Sequence, residues 1–442
     1  MSVRRPTMFA VATVLIAAVL FAGLAAAQND VPVPVDDTNL ALLGEMLYFD
    51  ETLSHPDGQA CASCHLPEVG FDDPDSDLPV SEGVLPGKFG SRNSPMSAYA
   101  MYAPIFHFDE TEGLFIGGQF WDGRATGHYL GDPLADQAIG PPLNPVEMAN
   151  PLMKIYLRDV KRSEYADLFR EVWGADAFND VETAYNQAGL SVAAFERTAL
   201  FASFNSKYDA YLQACIKDQG KIKLSDLDDC AMGIGPKAAK AAREILTDTE
   251  WYGLQLFMGE NNNDGVLEPG EGAFCSACHV ANWTATADYE LPVVVPEWAP
   301  EGMVPPVFTD FTFDNLGVPK SEHELLKDLP TDYGLGGFLE SNPDLVPADY
   351  ALAQDYGKFK VMTLRNIADT APYAHNGFFA TLEEITHFYN TRDVESEGWA
   401  PAEVPATVNF DELGNLGLSA DDEAALVAFM ETLSDPLPPP RE

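Results

Sequence analysis

The chain has 442 residues, of which 46% are hydrophobic, and its formal net charge is −44. Such a charge argues against binding to nucleic acids or anionic membranes, because both partners are themselves polyanions. The length exceeds one ordinary core, so we expect two or more domains. The acidic surface could steer a cationic redox partner; a solvated surface suited to a salty habitat is the alternative.

The first 27 residues have the pattern of a secretory signal peptide. Arg4 and Arg5 provide a positive start, residues 8–24 are apolar, and residues 25–27 are three alanines that suit cleavage. An uncleaved membrane anchor is the alternative. We therefore expect a periplasmic protein that has no stable membrane span once residues 1–27 are removed.

The rest of the chain is predicted to be mainly α-helical, with long loops rich in Pro and Gly and few strand signals. Taken in order, the pattern predicts a short helix over 40–49, a wrapping loop over 66–118 and a helix over 181–204 that runs on towards 212. There follow a polar insertion over 215–235, a helix over 238–257, a Pro-rich loop over 292–306, and helices over 382–389 and 421–433, the last with Ser419 as N-cap.

Two copies of the motif Cys-x-x-Cys-His stand in the two halves of the chain. This is the attachment signature of c-type haem, in which the two thiols bind the porphyrin and the His is the proximal ligand of the iron. Redox or zinc-binding Cys-x-x-Cys motifs are the alternative. The residues concerned are Cys61, Cys64 and His65 in the first copy, and Cys275, Cys278 and His279 in the second. The sequence thus predicts two covalently bound haems.

Cys215 and Cys230 remain outside the two motifs. In an oxidising compartment we expect them to form a disulfide that closes a short loop; two free thiols are the alternative. We accordingly divide the chain into an N-terminal haem domain over 28–206, an insertion or linker over 207–244 that carries these cysteines, and a C-terminal haem domain over 245–442.

Short segments along the chain carry a family resemblance. They include Gly70-Phe71-Asp72-Asp73, Arg92-Asn93-Ser94-Pro95, Phe120-Trp121-Asp122-Gly123-Arg124, Pro145-Val146-Glu147-Met148 and Ala371-Pro372-Tyr373-Ala374-His375-Asn376-Gly377. With the haem motifs, these segments resemble the bacterial di-haem cytochrome c peroxidases, including the MauG-type enzymes, over nearly all of the chain. The resemblance implies two cytochrome c-like domains with calcium between the haems. Electrons would pass from the second haem to the first, where hydrogen peroxide is reduced.

The resemblance also assigns catalytic roles. Trp121 is similar to the tryptophan that relays electrons between the haems, although it could simply pack against a haem edge. Gln137 and Glu147 are similar to the distal residues of the peroxide site. Glu147 would be the general acid and base; a surface carboxylate on an acidic protein is the alternative.

One calcium site is expected, and a loop elsewhere is a further candidate. Asn93, Thr370 and Pro372 match the calcium positions of the family, and hard oxygen donors suit this ion; ordinary turns are the alternative. Residues 260–271 have the spacing of an EF-hand loop, which gives a second candidate site, and a polar surface turn is the alternative. The candidate ligands in this loop are Glu260, Asn262, Asp264 and Glu271.

The chain departs from many members of the family at both haems. The loop over 66–91 has no His that could cap the first iron, so we expect the first haem to be open to peroxide without prior reduction. Tyr389 stands where many members have a Met, as in MauG-type enzymes, and we expect it to be the second ligand of the second iron. A phenolate should lower the haem potential and favour storage of oxidising equivalents. A core aromatic residue is the alternative.

These features predict a peroxidase-type oxidoreductase. Its electrons would come from a small redox protein, such as a cytochrome c or a cupredoxin, or from a side chain of a partner protein; Tyr389 and the open first haem favour the second source. A di-haem electron carrier without peroxidase activity is the alternative function; Glu147 and Gln137 argue against it, since a carrier needs no distal acid and base. A haem-based sensor is a third class.

Overall fold

The computed structural model describes residues 37–217 and 223–439; the predicted signal peptide over 1–27 lies outside them. The described chain is mainly helical, as the sequence predicts. The longest helix has 16 residues, and none in these two ranges is long and apolar enough to cross a membrane. The α-helices are α1 (Asp37–Tyr48), α2 (Pro133–Ala138), α3 (Met153–Val160), α4 (Ala166–Trp173), α5 (Val181–Glu196), α6 (Lys207–Ile216), α7 (Leu224–Ala231), α8 (Gly235–Ile245), α9 (Asp248–Met258), α10 (Gly334–Ser341), α11 (Leu382–Thr391) and α12 (Ala420–Glu431).

Strands are short and occur in three antiparallel pairs within the described residues. Each pair has two strands, so the strands pin loops together and do not form a layer of their own. The pairs are β1 (His107–Asp109) with β2 (Leu114–Ile116), β3 (Thr284–Ala285) with β4 (Met303–Val304), and β5 (Phe313–Asp314) with β6 (Phe359–Lys360).

Two large hydrophobic cores organise the helices. The first is built mainly by α1 to α5 and the second by α6 to α9 with α11 and α12. A small third cluster of Phe and Leu side chains packs around α10. The long loops between the helices cover the two large cores and contribute many of their buried side chains.

The same helix crossing occurs in both cores. In the first core, Gly44 of α1 lies against the carbonyl of Ser191 in α5; in the second, Gly253 of α9 lies against the carbonyl of Ala425 in α12. A Cβ atom placed on either glycine would lie 1.9 Å from the facing carbonyl oxygen. Four residues after each glycine, an aromatic ring packs edge-to-face against a ring of the partner helix. The ring centres are 5.4 Å apart for Tyr48 and Phe195, and 5.2 Å apart for Phe257 and Phe429. The two halves therefore share one packing unit.

Two helices expected to be continuous are each broken. The stretch predicted over 181–212 ends with α5 and resumes with α6, because Ser206 and Asp209 form a capping box in which each side chain accepts the backbone N–H of the other. Just before it, Phe204 has a positive φ of 46° that no helix accommodates. The stretch predicted over 238–257 is likewise split into α8 and α9, and a second capping box begins α9. Ser419 caps α12, as predicted.

The segment over 207–244, expected to be an insertion or linker, consists largely of α6, α7 and α8, and its buried side chains belong to the second core. Cys215 in α6 and Cys230 in α7 form a disulfide. The hydroxyls of Tyr208 and Tyr211 each donate to a backbone carbonyl of α7 at 2.7 Å. The disulfide therefore ties together two helices that already pack through buried tyrosines.

The glycine crossings give a first prediction. Gly44→Ala or Gly253→Ala should lower the free energy of unfolding by about 1–3 kcal/mol, because the facing backbone has to move to accept the methyl group. Urea unfolding measures the change. Gly337→Ala is the matched control, since this helical glycine of α10 faces only the side chain of exposed Tyr333 at 3.2 Å. Equal unfolding midpoints for all three variants would contradict the role of the crossings.

Candidate functional site

The first Cys-x-x-Cys-His motif opens onto a large cavity. Cys61, Cys64 and His65 line it, and it encloses about 1660 Å³ of empty space including its open mouth. A single 3-10 turn begins at Cys61, and the backbone N–H of His65 donates to the carbonyl of Cys61 at 3.0 Å. This turn brings both thiols and the imidazole to one wall of the cavity.

His65 is held in a form that can ligate a metal. The hydroxyl of the fully buried Tyr48 donates to the His65 carbonyl oxygen at 2.8 Å, which fixes the motif against α1. Burial lowers the pKa of His65 to about 4, although the backbone of Phe71 acts in the opposite direction. The imidazole is therefore neutral at pH 7, and neutral imidazole is the species that ligates metals.

Glu147 lines the same cavity as His65. Its Oε1 accepts a hydrogen bond from Asn144 Nδ2 at 2.9 Å, whereas its Oε2 is buried and has no hydrogen-bond partner. Burial raises the pKa of Glu147, and Arg124 and Asn144 partly counteract the rise. An unpartnered, buried carboxyl oxygen with a raised pKa is suited to exchange a proton with a small molecule in the cavity.

Gln137 also lines this cavity, from the short helix α2. The neighbouring Asp136 anchors the helix by accepting backbone N–H groups of the preceding loop, from Gly127 at 2.7 Å and from Leu130 at 2.9 Å. The structure therefore brings Gln137, Glu147 and His65 to one cavity, as the family resemblance implies.

The loop without a His supports the Glu147 backbone. Val84 N–H donates to the Glu147 carbonyl oxygen at 2.9 Å, and a Cβ atom on Gly83 would lie 2.2 Å from the Val146 carbonyl oxygen. Among the histidines of the described ranges, only His65 lines the cavity. No imidazole of those ranges is placed there as a second ligand.

The second motif lines a cavity of about 1480 Å³, measured in the same way. His279 Nδ1 is 3.0 Å from the Phe308 carbonyl oxygen, an arrangement that leaves Nε2 free to bind a metal. Burial lowers the pKa of His279 to about 4, and the backbones of Phe308 and Met362 act in the opposite direction. This imidazole is also neutral at pH 7.

Tyr389 lines the second cavity together with His279. It projects from α11, and its carbonyl oxygen accepts the N–H of Gly414 at 2.6 Å. Burial, and then the nearby Cys278 and Cys275, raise the pKa of the Tyr389 hydroxyl. A bound cation would oppose this rise, because a positive charge favours the phenolate.

Acidic side chains surround the second motif. Cys278, Asp314 and Glu412 form the only group of three candidate metal ligands in the part of the chain that the structure describes. Asn409 Nδ2 donates to both carboxylates, at 2.7 Å to Asp314 and 2.8 Å to Glu412. Because Cys278 belongs to the haem motif, we interpret this group as an acidic wall of the second cavity.

Trp121 lies in the wall that the two cavities share, since it lines both. Its Nε1 donates to the Asn93 carbonyl oxygen at 2.9 Å, and its own carbonyl oxygen accepts the N–H of Lys360 at 2.8 Å. The Asn93 carbonyl therefore holds the indole nitrogen, and the Lys360 backbone holds the Trp121 backbone. The indole lies between the two cavities, where the sequence predicts a relay.

The residues expected to form the first calcium site lie together. Asn93, Thr370 and Pro372 all line the second cavity, and Asn93 and Pro372 also line a small neighbouring cavity with Asp72 and Asp73. Burial raises the pKa of both of these carboxyl groups. The oxygen-rich surroundings fit a hard cation.

The expected ligands of the EF-hand-like loop do not all come together. Asn262 Nδ2 donates to Glu271 Oε1 at 3.0 Å, so these two expected ligands meet. Glu260, Asp264 and Glu271 do not form a three-carboxylate cluster within the described residues. Asp264 Oδ1 instead accepts the N–H of Val266 at 2.9 Å, as in a polar turn.

Sequence reasoning missed charged residues of the first cavity. Glu196 lines it with 5% exposure; burial, then Asp132, raise its pKa to about 8, while Arg197 opposes the rise. Lys360 lines both cavities and is also 5% exposed. No sequence signal distinguishes these two side chains from the solvated charges that are far commoner in such a chain.

Comparison with known proteins decides the family. The di-haem cytochrome c peroxidase model matches residues 38–216. The methylamine utilization protein MauG of Paracoccus denitrificans is 33% identical over 421 residues, which cover 91% of this chain and 90% of that protein. The chain belongs to the di-haem cytochrome c peroxidase family. The cytochrome-c peroxidase IdrP2 of a Pseudomonas species is 28% identical over 435 residues, which cover 96% of this chain and 91% of that protein.

A solved structure agrees with this assignment. The di-haem peroxidase BthA of Burkholderia thailandensis has a TM-score of 0.68 at 28% identity, and the match covers 91% of this chain and 89% of that one. Two large cavities, each with two thiols and a neutral imidazole, fit the two c-type haems of a di-haem cytochrome c peroxidase. The chain is thus a haem peroxidase-type oxidoreductase.

Proposed function

We propose that this chain is a periplasmic di-haem peroxidase of the MauG-like branch, formed by two cytochrome c-like domains. Hydrogen peroxide would be reduced in the first cavity, with electrons drawn through the second. Cys61, Cys64 and His65 would hold the first haem, and Cys275, Cys278 and His279, with Tyr389, the second. When bound, the haems supply the redox chemistry that cleaves the O–O bond. The repeated glycine crossing supports the division into two such domains.

The unpartnered Oε2 of Glu147 is the observation that carries the proposal. At this position the carboxylate can take a proton from one peroxide oxygen and return it to the leaving oxygen, while Gln137 orients the molecule by hydrogen bonding. Reduction of one peroxide to two waters consumes two electrons and two protons. A simple electron carrier has no need of a buried acid and base in its cavity.

Glu147→Gln should slow the reaction with peroxide at least about 10²-fold, because the amide can no longer exchange a proton. The measurement is stopped-flow mixing of the fully oxidised protein with one equivalent of peroxide, followed in the Soret band. Glu164→Gln, on an exposed side chain, is the matched control. Unchanged kinetics in Glu147→Gln would remove this residue from the mechanism, and a wild type that never reacts would favour an electron carrier.

Tyr389 sets the character of the second site. A phenolate is a harder, anionic ligand than the Met thioether of many family members, and it lowers the haem potential. The first cavity also has no second His among its described lining residues. Both features favour reaction in the fully oxidised state, with oxidising equivalents retained until a partner is met.

Tyr389→Phe should change the low-spin visible and near-infrared bands of the second haem, because the ligating oxygen is removed. Tyr373→Phe is the matched control: Tyr373 lines the same cavity, but its hydroxyl donates to the Ile367 carbonyl oxygen at 2.8 Å. Identical spectra for wild type and Tyr389→Phe would mean that the second ligand lies elsewhere.

The electrons would come from an oxidisable partner. The net charge of −44 would speed its arrival if its docking face is cationic. We favour a partner protein whose side chains are oxidised, because Tyr389 and the open first cavity suit storage of oxidising equivalents. Mixing the peroxide-treated protein with reduced cytochrome c tests this choice, since rapid turnover would support a peroxide scavenger instead.

We also propose a calcium ion at Asn93, Thr370 and Pro372. Elemental analysis of the purified, exported protein should then find two irons and one calcium per chain. A second calcium would place an ion in the loop over 260–271. No calcium after dialysis without chelator would contradict both sites. The mass of the same purified chain tests cleavage of the signal peptide, and a chain that still carries residues 1–27 would contradict it.

A further inference from the structure

Lys360 is a buried cation without an acidic partner. It ends β6, is 5% exposed, and its Nζ donates to the Gly118 carbonyl oxygen and lies 3.4 Å from Gln119 Oε1. Both acceptors are neutral, and no carboxylate of the described residues pairs with it. By contrast, Lys358, two positions earlier, pairs with Asp355 at 3.2 Å.

An unpaired ammonium inside a protein is costly, so buried charges are normally paired. Burial lowers the pKa of Lys360 to about 7, because the surroundings desolvate the ammonium and no carboxylate compensates. The chain has 69 acidic residues against 25 basic ones, so the missing partner does not reflect a shortage of carboxylates. An anion from outside the polypeptide would supply the missing partner.

The surroundings of the ammonium indicate which cavity it serves. Gln119, and Phe311, whose ring centre is 5.7 Å from Lys360 Nζ, line the first cavity and not the second. The other cations of the first cavity are already neutralised. Arg92 is bound by Asp122 at 2.6 Å and by Asp332 at 2.7 Å, and Arg124 is bound by Asp122 at 3.0 Å.

The anions that a haem brings into such a cavity are its two propionates. We infer that the Lys360 ammonium forms an ion pair with a propionate of the first haem and thereby helps to set the position and potential of that haem. The inference rests on the proposed function only in placing a haem in the first cavity. The backbone N–H of Lys360 also donates to the Trp121 carbonyl oxygen at 2.8 Å. Lys360 would therefore link a propionate of the first haem, through its side chain, to the inter-haem tryptophan, through its backbone.

Removal of the positive charge should make the first haem harder to reduce. In Lys360→Gln, which keeps a donor for Gly118, we expect about a tenfold lower ferrous-to-ferric ratio at a fixed applied potential, equivalent to a 59 mV negative shift for one electron. Lys358→Gln removes the same formal charge from an acid-paired lysine that lines neither cavity, and it should leave the ratio nearly unchanged. Spectroelectrochemical titration of the first haem measures both.

Resonance Raman spectra provide a second test, with a readout other than the potential. The propionate bending mode of the first haem should shift between H₂O and D₂O, and the shift should shrink in Lys360→Gln. An unchanged potential in Lys360→Gln, a shift equal to that of Lys358→Gln, or a bending mode insensitive to D₂O would overturn the pairing. Haem is counted in the same samples: fewer than two haems per wild-type chain would refute the haem assignment itself, which separates that failure from failure of the pairing.

Discussion

The two cores meet at one buried ion pair, and the position of the second haem motif depends on it. Arg365 and Asp209 are both fully buried and lie 2.7 Å apart. The guanidinium also donates through Nε and Nη2 to the Pro306 carbonyl oxygen, at 2.9 and 2.7 Å. Loss of one member would leave an uncompensated buried charge, which typically costs about 3–5 kcal/mol.

Aromatic rings from both cores enclose that guanidinium. It lies 4.9 Å from the ring centre of Phe204 in the first core and 5.6 Å from that of Phe308 in the second. The carbonyl of Phe308 is also the group that orients His279. The packing that joins the cores therefore also fixes the tautomer and direction of a proposed iron ligand. A change that loosened the contact between the cores would also disturb the geometry of the second site.

The sequence alone predicted the mainly helical class, the family, and the motif residues that line the two cavities, because local motifs carry that information. It did not predict the break between α5 and α6, since the apolar pattern continues through Phe204 and only tertiary packing gives that residue its positive φ. The repeated glycine crossing was also invisible, because it depends on contact between distant helices. The burial of Lys360 was not predicted for a related reason: the sequence alone does not distinguish a buried lysine from one on the surface.

The disulfide between Cys215 and Cys230 has a consequence for biogenesis. The chain has six cysteines, and each of the 15 complete disulfide connectivities open to six cysteines would oxidise all four haem-attaching thiols. In the oxidising compartment that we propose, the chain must therefore be oxidised at one pair while the other four sulfurs remain available to porphyrin. Packing of α6 against α7 through Tyr208 and Tyr211 favours the correct pair. Assembly is thus a competition between disulfide formation and haem attachment, and the packing of α6 against α7 biases its outcome.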